Sequence, residues 1–290
     1  MRVLNAPSAP LQAELRAEPR AEPRAKPRAK LPADRHLVSG TAFMGLLLLL
    51  GLAGLATDYR LLDGEQVWVK PTKFALAVTL HLATLAVIAA RLSEPYRRGW
   101  AMTLTVPVVL VCAVGEMAYI ILQAAAQEHS HFNIATPFHA AMYSAMGIGA
   151  VLLTGGAAVI GLLAARDRNA ALRPGLRRGV VLGLIGGTVL TILVAGYLGS
   201  NNGHFVGTHP EGGAAVPLIG WSLETGDLRP AHFFALHIMQ ALPLIGLAFD
   251  RFAPARAAAL TGLAALVWVG LTLAVFIQAL AGLPLLDPGL

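Results

Sequence analysis

Long apolar runs separated by short polar segments fill the chain after residue 36. A helix crosses the hydrocarbon core of a bilayer with about 20 mostly apolar residues. Seven stretches reach that length: roughly 37–57, 69–91, 100–125, 137–165, 178–199, 231–250 and 257–282. Two of them are long enough to tilt or to extend past the lipid. The pattern predicts an all-α membrane protein, a bundle of seven transmembrane helices.

Composition agrees with this pattern. Of 290 residues 56% are hydrophobic and 13% charged, against about 25% charged in a soluble domain. The single cysteine, Cys112, excludes an intrachain disulfide framework and a cysteine-based zinc cluster. A net charge of +6 suggests a nucleic-acid partner at first sight. Residues 1–36 carry most of that excess, so nucleic acid is not expected as a partner.

Residues 16–30 repeat as RAEPRAEPRAKPRAK. Proline at every fourth position blocks a continuous helix, and nothing apolar is present to bury. Residues 1–36 are expected to form a disordered, basic, Pro/Ala-rich cytoplasmic tail. Held before the first span, such a tail suits anionic lipid; the plainer expectation is a solvated segment that helps fix topology. Residues 37–282 then form the bundle and 283–290 a short outer tail. The first span follows 36 residues and no clean A-x-A site follows it, so it reads as a retained helix rather than a signal peptide.

Lys and Arg favour the cytoplasmic side of a membrane. With the N-terminus cytoplasmic and the C-terminus outside, 18 of the 22 Lys and Arg residues fall inside. Only Arg60, Lys70, Lys73 and Arg229 fall outside. The expected location is the bacterial inner membrane, with the lipid bilayer as first partner. Glycines at 179, 183, 186 and 187 let helices approach closely.

The polar residues collect on the outer side. His36 lies at the inner end of the first span, whereas His81, His129, His131, His139, His204, His209, His232 and His237 all lie away from the cytoplasmic surface. His81 is about 16 Å deep at 1.5 Å per residue. Glu116 is the one carboxylate well inside a span, with Tyr119 and Gln123 following it. Such residues usually face the bundle or a cavity. The long loop 200–230 has the length of a lid or binding loop. Its apolar piece, Val216 to Trp221, is expected to dip into the interface.

Several constellations fit chemistry. His129-x-His131, with His139, Glu116 and His237, suits a transition metal; each loop histidine taken singly is an ordinary polar surface residue. His81, His139 and His237 are candidate axial ligands for haem b. Lys70, Lys73 and Arg229 could meet its propionates, and otherwise snorkel to the interface. His139, Met142 and Met146 share a helical face, which suits a soft metal or plain packing. The last span has no lysine, which disfavours retinal. Seven-span zinc hydrolases carry a late H-x-x-x-H pair; here the spacing is H-x-x-x-x-H at 232–237.

The segments WVKPTKF (68–74), SHFNIATPF (130–138) and GDLRPAHFFALHIMQALP (226–243) resemble a family of bacterial integral membrane proteins with no assigned activity. The resemblance covers most of residues 40–280 and implies no substrate.

Three functions are therefore expected to compete. The first is a redox protein holding haem b or a transition metal in the outer half of the bundle, exchanging electrons with quinone or another membrane redox subunit. The second is a proton-coupled transporter, in which Glu116 and the histidines form a relay and Pro107 and Pro243 mark broken helices. The third is a zinc-dependent membrane hydrolase, with Glu116 as the candidate catalytic residue.

Overall fold

The structure, a computed structural model, describes residues 33–201, 203–208, 210, 212–217 and 219–286. Nearly all of the predicted basic tail and the last four residues lie outside the described residues. So do His209 and Glu211.

Seven described helices are long and apolar enough to cross a membrane. They are α1 (Ala33–Thr57), α2 (Val69–Ala89), α3 (Trp100–Ala126), α4 (Pro137–Arg166), α5 (Pro174–Ser200), α6 (Leu228–Phe252) and α7 (Ala257–Leu280). Their outward faces are apolar, with Leu46, Val111 and Leu266 mostly exposed. Their inward faces hold His81, Glu116, Gln123, Thr188 and Thr191. Lipid, rather than water, suits that distribution. Trp100 and Tyr59, both well exposed, sit at helix ends where amphipathic rings anchor at an interface.

Successive helices pack as neighbours, and α2 also touches α4 and α6. The chain thus has a histidine end, where α1, α3, α5 and α7 finish, and an arginine-rich end. At the arginine-rich end three buried or half-buried acids tie the turns together. Asp34 pairs with Arg97 at 2.8 Å. Asp167 accepts from the Ser93 backbone N–H at 2.6 Å and lies 2.9 Å from its hydroxyl. Asp250 of α6 accepts the N–H groups of Gly175 and Leu176, both at 2.8 Å.

That last contact explains one difference from the sequence reading. Helix α5 starts at Pro174, four residues before the predicted boundary, because a carboxylate from α6 satisfies two of its first free N–H groups. Helix α6 likewise starts at Leu228 rather than 231. Asp227 accepts from the Arg229 N–H at 2.9 Å and caps it. Arg229 is therefore on the first turn of a helix.

Helices α5 and α6 meet along glycines spaced by four residues: Gly175, Gly179, Gly183 and Gly187. A Cβ on Gly179 would lie 2.7 Å from the carbonyl carbon of Leu242 and 2.9 Å from the nitrogen of Pro243. Gly186, also expected at a close contact, has nothing within 4 Å. Within α5, residues Leu182–Gly186 form a π-helical turn. Facing it, Pro243 interrupts the hydrogen bonding of α6.

At the histidine end α3 closes in a Schellman arrangement. Glu128 N–H donates to the Gln123 carbonyl at 2.8 Å and Gln127 N–H to that of Ala124 at 3.1 Å. Thr136 caps α4 by accepting from the His139 N–H at 3.2 Å. The loop after α5 pairs Phe205–Val206 with Gly226–Asp227. It then turns back through a bridge between Ala215 and Ser222.

Candidate functional site

The loop between α3 and α4 puts His131 over the bundle. Its Nδ1 lies 3.1 Å from Ser130 Oγ, and Ser130 is buried. Its Nε2 faces Glu116 Oε1 at 3.7 Å. The ring also sits against Phe74 of α2, with centroids 5.3 Å apart, and Tyr143 of α4 at 6.4 Å. The next residue, Phe132, adopts φ 57. A left-handed conformation costs a bulky residue roughly 1–2 kcal/mol, and the ring contacts of Phe132 with Tyr143 and His204 hold it there. That turn fixes the direction of the His131 ring. Burial first, then the Lys70 ammonium and His204, push the His131 imidazole down to about 3. His131 is therefore neutral at ordinary pH.

Glu116 is 7% exposed. It lies about 15 Å from the end of α3 at 1.5 Å per residue. Its Oε2 faces Gly149 of α4, where a Cβ would come within 3.7 Å. One turn further along α4, the Leu153 backbone carbonyl lies near the His81 ring. His81 in turn interacts with His237 of α6, and His237 with His232 and Gln240. The Phe233 ring stacks on His237 at 4.3 Å, with Trp221 of the loop 5.7 Å behind it. Polar groups therefore form a column that runs from His131 to a layer about 14–18 Å from the helix ends, where Glu116, His81 and His237 sit on three different helices.

Several atoms along this region are buried without a hydrogen-bond partner: His81 Nε2, Tyr119 Oη, Thr191 Oγ1, His232 Nδ1 and Gln240 Oε1. Buried polar groups are nearly always paired, with protein or with water.

The other predicted site residues go elsewhere. His139 Nε2 lies 3.1 Å from Glu128 Oε2, and its Nδ1 lies 3.0 Å from Thr136 Oγ1. Gln123 donates to the His129 carbonyl at 3.0 Å. The His129 ring turns outward to Asp63 at 3.0 Å. His131 and Glu116 thus face each other, while His129 turns to Asp63, His139 to Glu128 and His237 to Gln240. Among the described residues no group of three His, Cys, Asp or Glu side chains is placed to hold a metal. Met142 and Met146 pack with Tyr119, Ile120 and Phe74.

Lys73 and Arg229 both grip the long loop. Lys73 Nζ donates to the Ile219 carbonyl at 3.3 Å, and Arg229 donates to that of Gly220. Arg229 also pairs with Asp227 at 2.6 Å and covers the Phe205 ring at 5.1 Å. These two cations are engaged with the loop instead of standing free for a propionate. Lys70 remains at the column, beside His131 and Glu116.

Sequence reasoning missed Ser130, Tyr143 and Gln240. Ser130 adjoins His131, and Gln240 is one helical turn from His237; both spacings were readable. Tyr143 reaches the site only through the fold. The three segments singled out above, 68–74, 130–138 and 226–243, supply Lys70 and Phe74, Ser130 and His131, and Arg229 with His232, His237 and Gln240. Comparison with family models, with curated proteins and with solved structures gave no match, so these residues alone carry the reading of the site.

Proposed function

We propose that this multi-pass protein is a proton-coupled carrier of the bacterial inner membrane, with its N-terminus cytoplasmic. The observation that carries the reading is the column formed by His131, Glu116, His81 and His237, with the unpartnered Nε2 of His81 in it. A carboxyl and two imidazoles at mid-membrane are costly there, and such groups commonly serve ion pathways and proton relays. The 18-to-4 division of Lys and Arg supports the orientation, which opens the column to the outer side. Pro243 and the facing π-helical turn give α5 and α6 a weak point beside His237.

The test is infrared difference spectroscopy of the reconstituted protein during a step in outer pH. A protonated-carboxyl band should respond and should vanish in Glu116→Gln. If Glu116 ignores outer pH, the reading is wrong.

A second reading is favoured by the free Nε2 of His81, since an unpartnered buried imidazole nitrogen suits an axial or metal ligand. His81 and His237 would hold haem b or a transition metal, which would supply electron transfer to quinone or a redox subunit. The fit is partial. His139 is engaged with Glu128, and Lys73 and Arg229 are engaged with the loop. A reduced-minus-oxidised visible spectrum with a b-type band lost in His81→Phe would replace the carrier reading. The zinc-hydrolase alternative needs three converging ligands and finds no support among the described residues.

A further inference from the structure

A small cavity of about 40 Å³ lies at the histidine end, between the start of α2, the end of α3 and the loop that follows it. Its polar wall residues are Lys70, Glu128, His129 and Ser130; Leu62, Val67, Pro71, Ile120 and Ala124 complete it. A cavity needs about 10–15 Å³ on this measure to hold one water. The space therefore takes one to three waters and no organic ligand. The Lys70 ammonium in its wall repels a metal cation.

Two connections make this cavity more than a void. On its outer side, Glu128 is 48% exposed and paired with His139. Its carboxylate therefore borders both bulk water and the cavity. On its inner side, Ser130 Oγ touches His131 Nδ1, and His131 Nε2 faces Glu116.

We propose that this cavity is the proton intake of the column, and that Ser130 is the residue that passes protons from its water to His131. The inference rests on the proton-carrier reading. In each passage the cavity water gives a proton to Ser130 Oγ while the Ser130 hydroxyl gives its own to His131 Nδ1. Nε2–H of His131 then yields its proton to the Glu116 carboxylate. Glu128 returns a proton to the water, and bulk solvent reprotonates Glu128. One proton has moved from solvent to Glu116, and every other group is restored once the His131 ring proton shifts from Nδ1 to Nε2. The 3.7 Å gap to Glu116 exceeds a hydrogen bond, so the last transfer follows a small side-chain rotation.

The experiment follows the Glu116 carboxyl band in time after an acid step applied to full-length protein in liposomes. Ser130→Ala should slow protonation of Glu116 about 100-fold, the lower end of the range for a lost proton-transfer group. Ser130→Thr keeps the hydroxyl and should restore the rate. Glu128→Gln should slow it as well. Thermal unfolding of each variant separates a slow relay from a misfolded protein. A pH-responsive wild-type band with an unchanged rate in Ser130→Ala overturns the intake while leaving the carrier reading intact. A wild-type band that does not respond overturns the carrier reading itself. Slowing in Ser130→Thr equal to that in Ser130→Ala assigns Ser130 a packing role and also overturns the proposal.

Discussion

Replacing Gly179 with alanine tests the contact that sets α6 beside α5. The added Cβ would lie 2.7 Å from the Leu242 carbonyl carbon and 2.9 Å from the Pro243 nitrogen. Optimal carbon contacts lie at about 3.5–4.0 Å. These neighbours are backbone, so no side chain can swing away, and the helices must part by roughly 1 Å. Overpacking of this kind costs typically 1–3 kcal/mol. Gly186→Ala in the same helix is the control, because nothing lies within 4 Å of Gly186. There the loss of glycine's conformational freedom should stabilise by roughly 0.5–1 kcal/mol. Thermal unfolding in one detergent reads both variants. Gly179→Ala should unfold at lower temperature than wild type, and Gly186→Ala at the same or higher temperature. Since Gly183 and Gly187 contact Ile238 and Met239, next to His237, the proton response of Gly179→Ala should weaken too. Equal stability of the two variants would refute the close-contact argument.

Other outcomes follow from the same structure. Asp250→Asn leaves one acceptor where two N–H groups of α5 converge and should cost about 2 kcal/mol, read by thermal unfolding; a loss below about 0.5 kcal/mol would contradict the capping role. His131 has a folded value near 3 against an ordinary 6.5, so the unfolded chain binds more protons between them. Stability contributed by neutral His131 is complete above pH 6.5 and falls as pH drops toward 3. His131→Asn should flatten that part of the stability–pH curve, and an unchanged slope would count against it. Asp58 is held below the usual carboxylate range by hydrogen bonds from Arg60 and Trp68. The Trp68 indole N–H resonance should therefore hold steady through pH 3.8, the ordinary aspartate value, and move in Asp58→Asn at neutral pH. Arg229→Lys loses the fork that spans Asp227 and the Gly220 carbonyl, so amide exchange across residues 212–225 should quicken; an unaltered exchange rate would mean the loop is held by other contacts.

The spans were legible because a bilayer demands about 20 apolar residues whatever the neighbours are. Helix starts were less so. The start of α5 depends on Asp250, 75 residues away from the N–H it caps. The glycine stripe was largely readable: Gly179, Gly183 and Gly187 are on it, and Gly186 is replaced by Gly175 because the partner helix, not the glycine content, decides which face is close. Among the site residues, depth in a span marked His81 and Glu116 as side chains that turn inward, and both are buried. Side did not predict partnership. His139 shares an end with them but bonds to Glu128, and Lys73 and Arg229 bond to a loop whose path no periodicity encodes.

Lys73 and Arg229 hold the loop through the carbonyls of Ile219 and Gly220, not through side chains. Every residue type offers the same carbonyl. Ile219 can thus change its side chain while the hold persists, whereas Gly220, at φ 79, and Trp221, packed on Phe233, are restricted, and adding or removing one residue would move both carbonyls out of register with their cations. Loop length, more than the side chain at position 219, therefore sets where the loop meets Lys73 and Arg229.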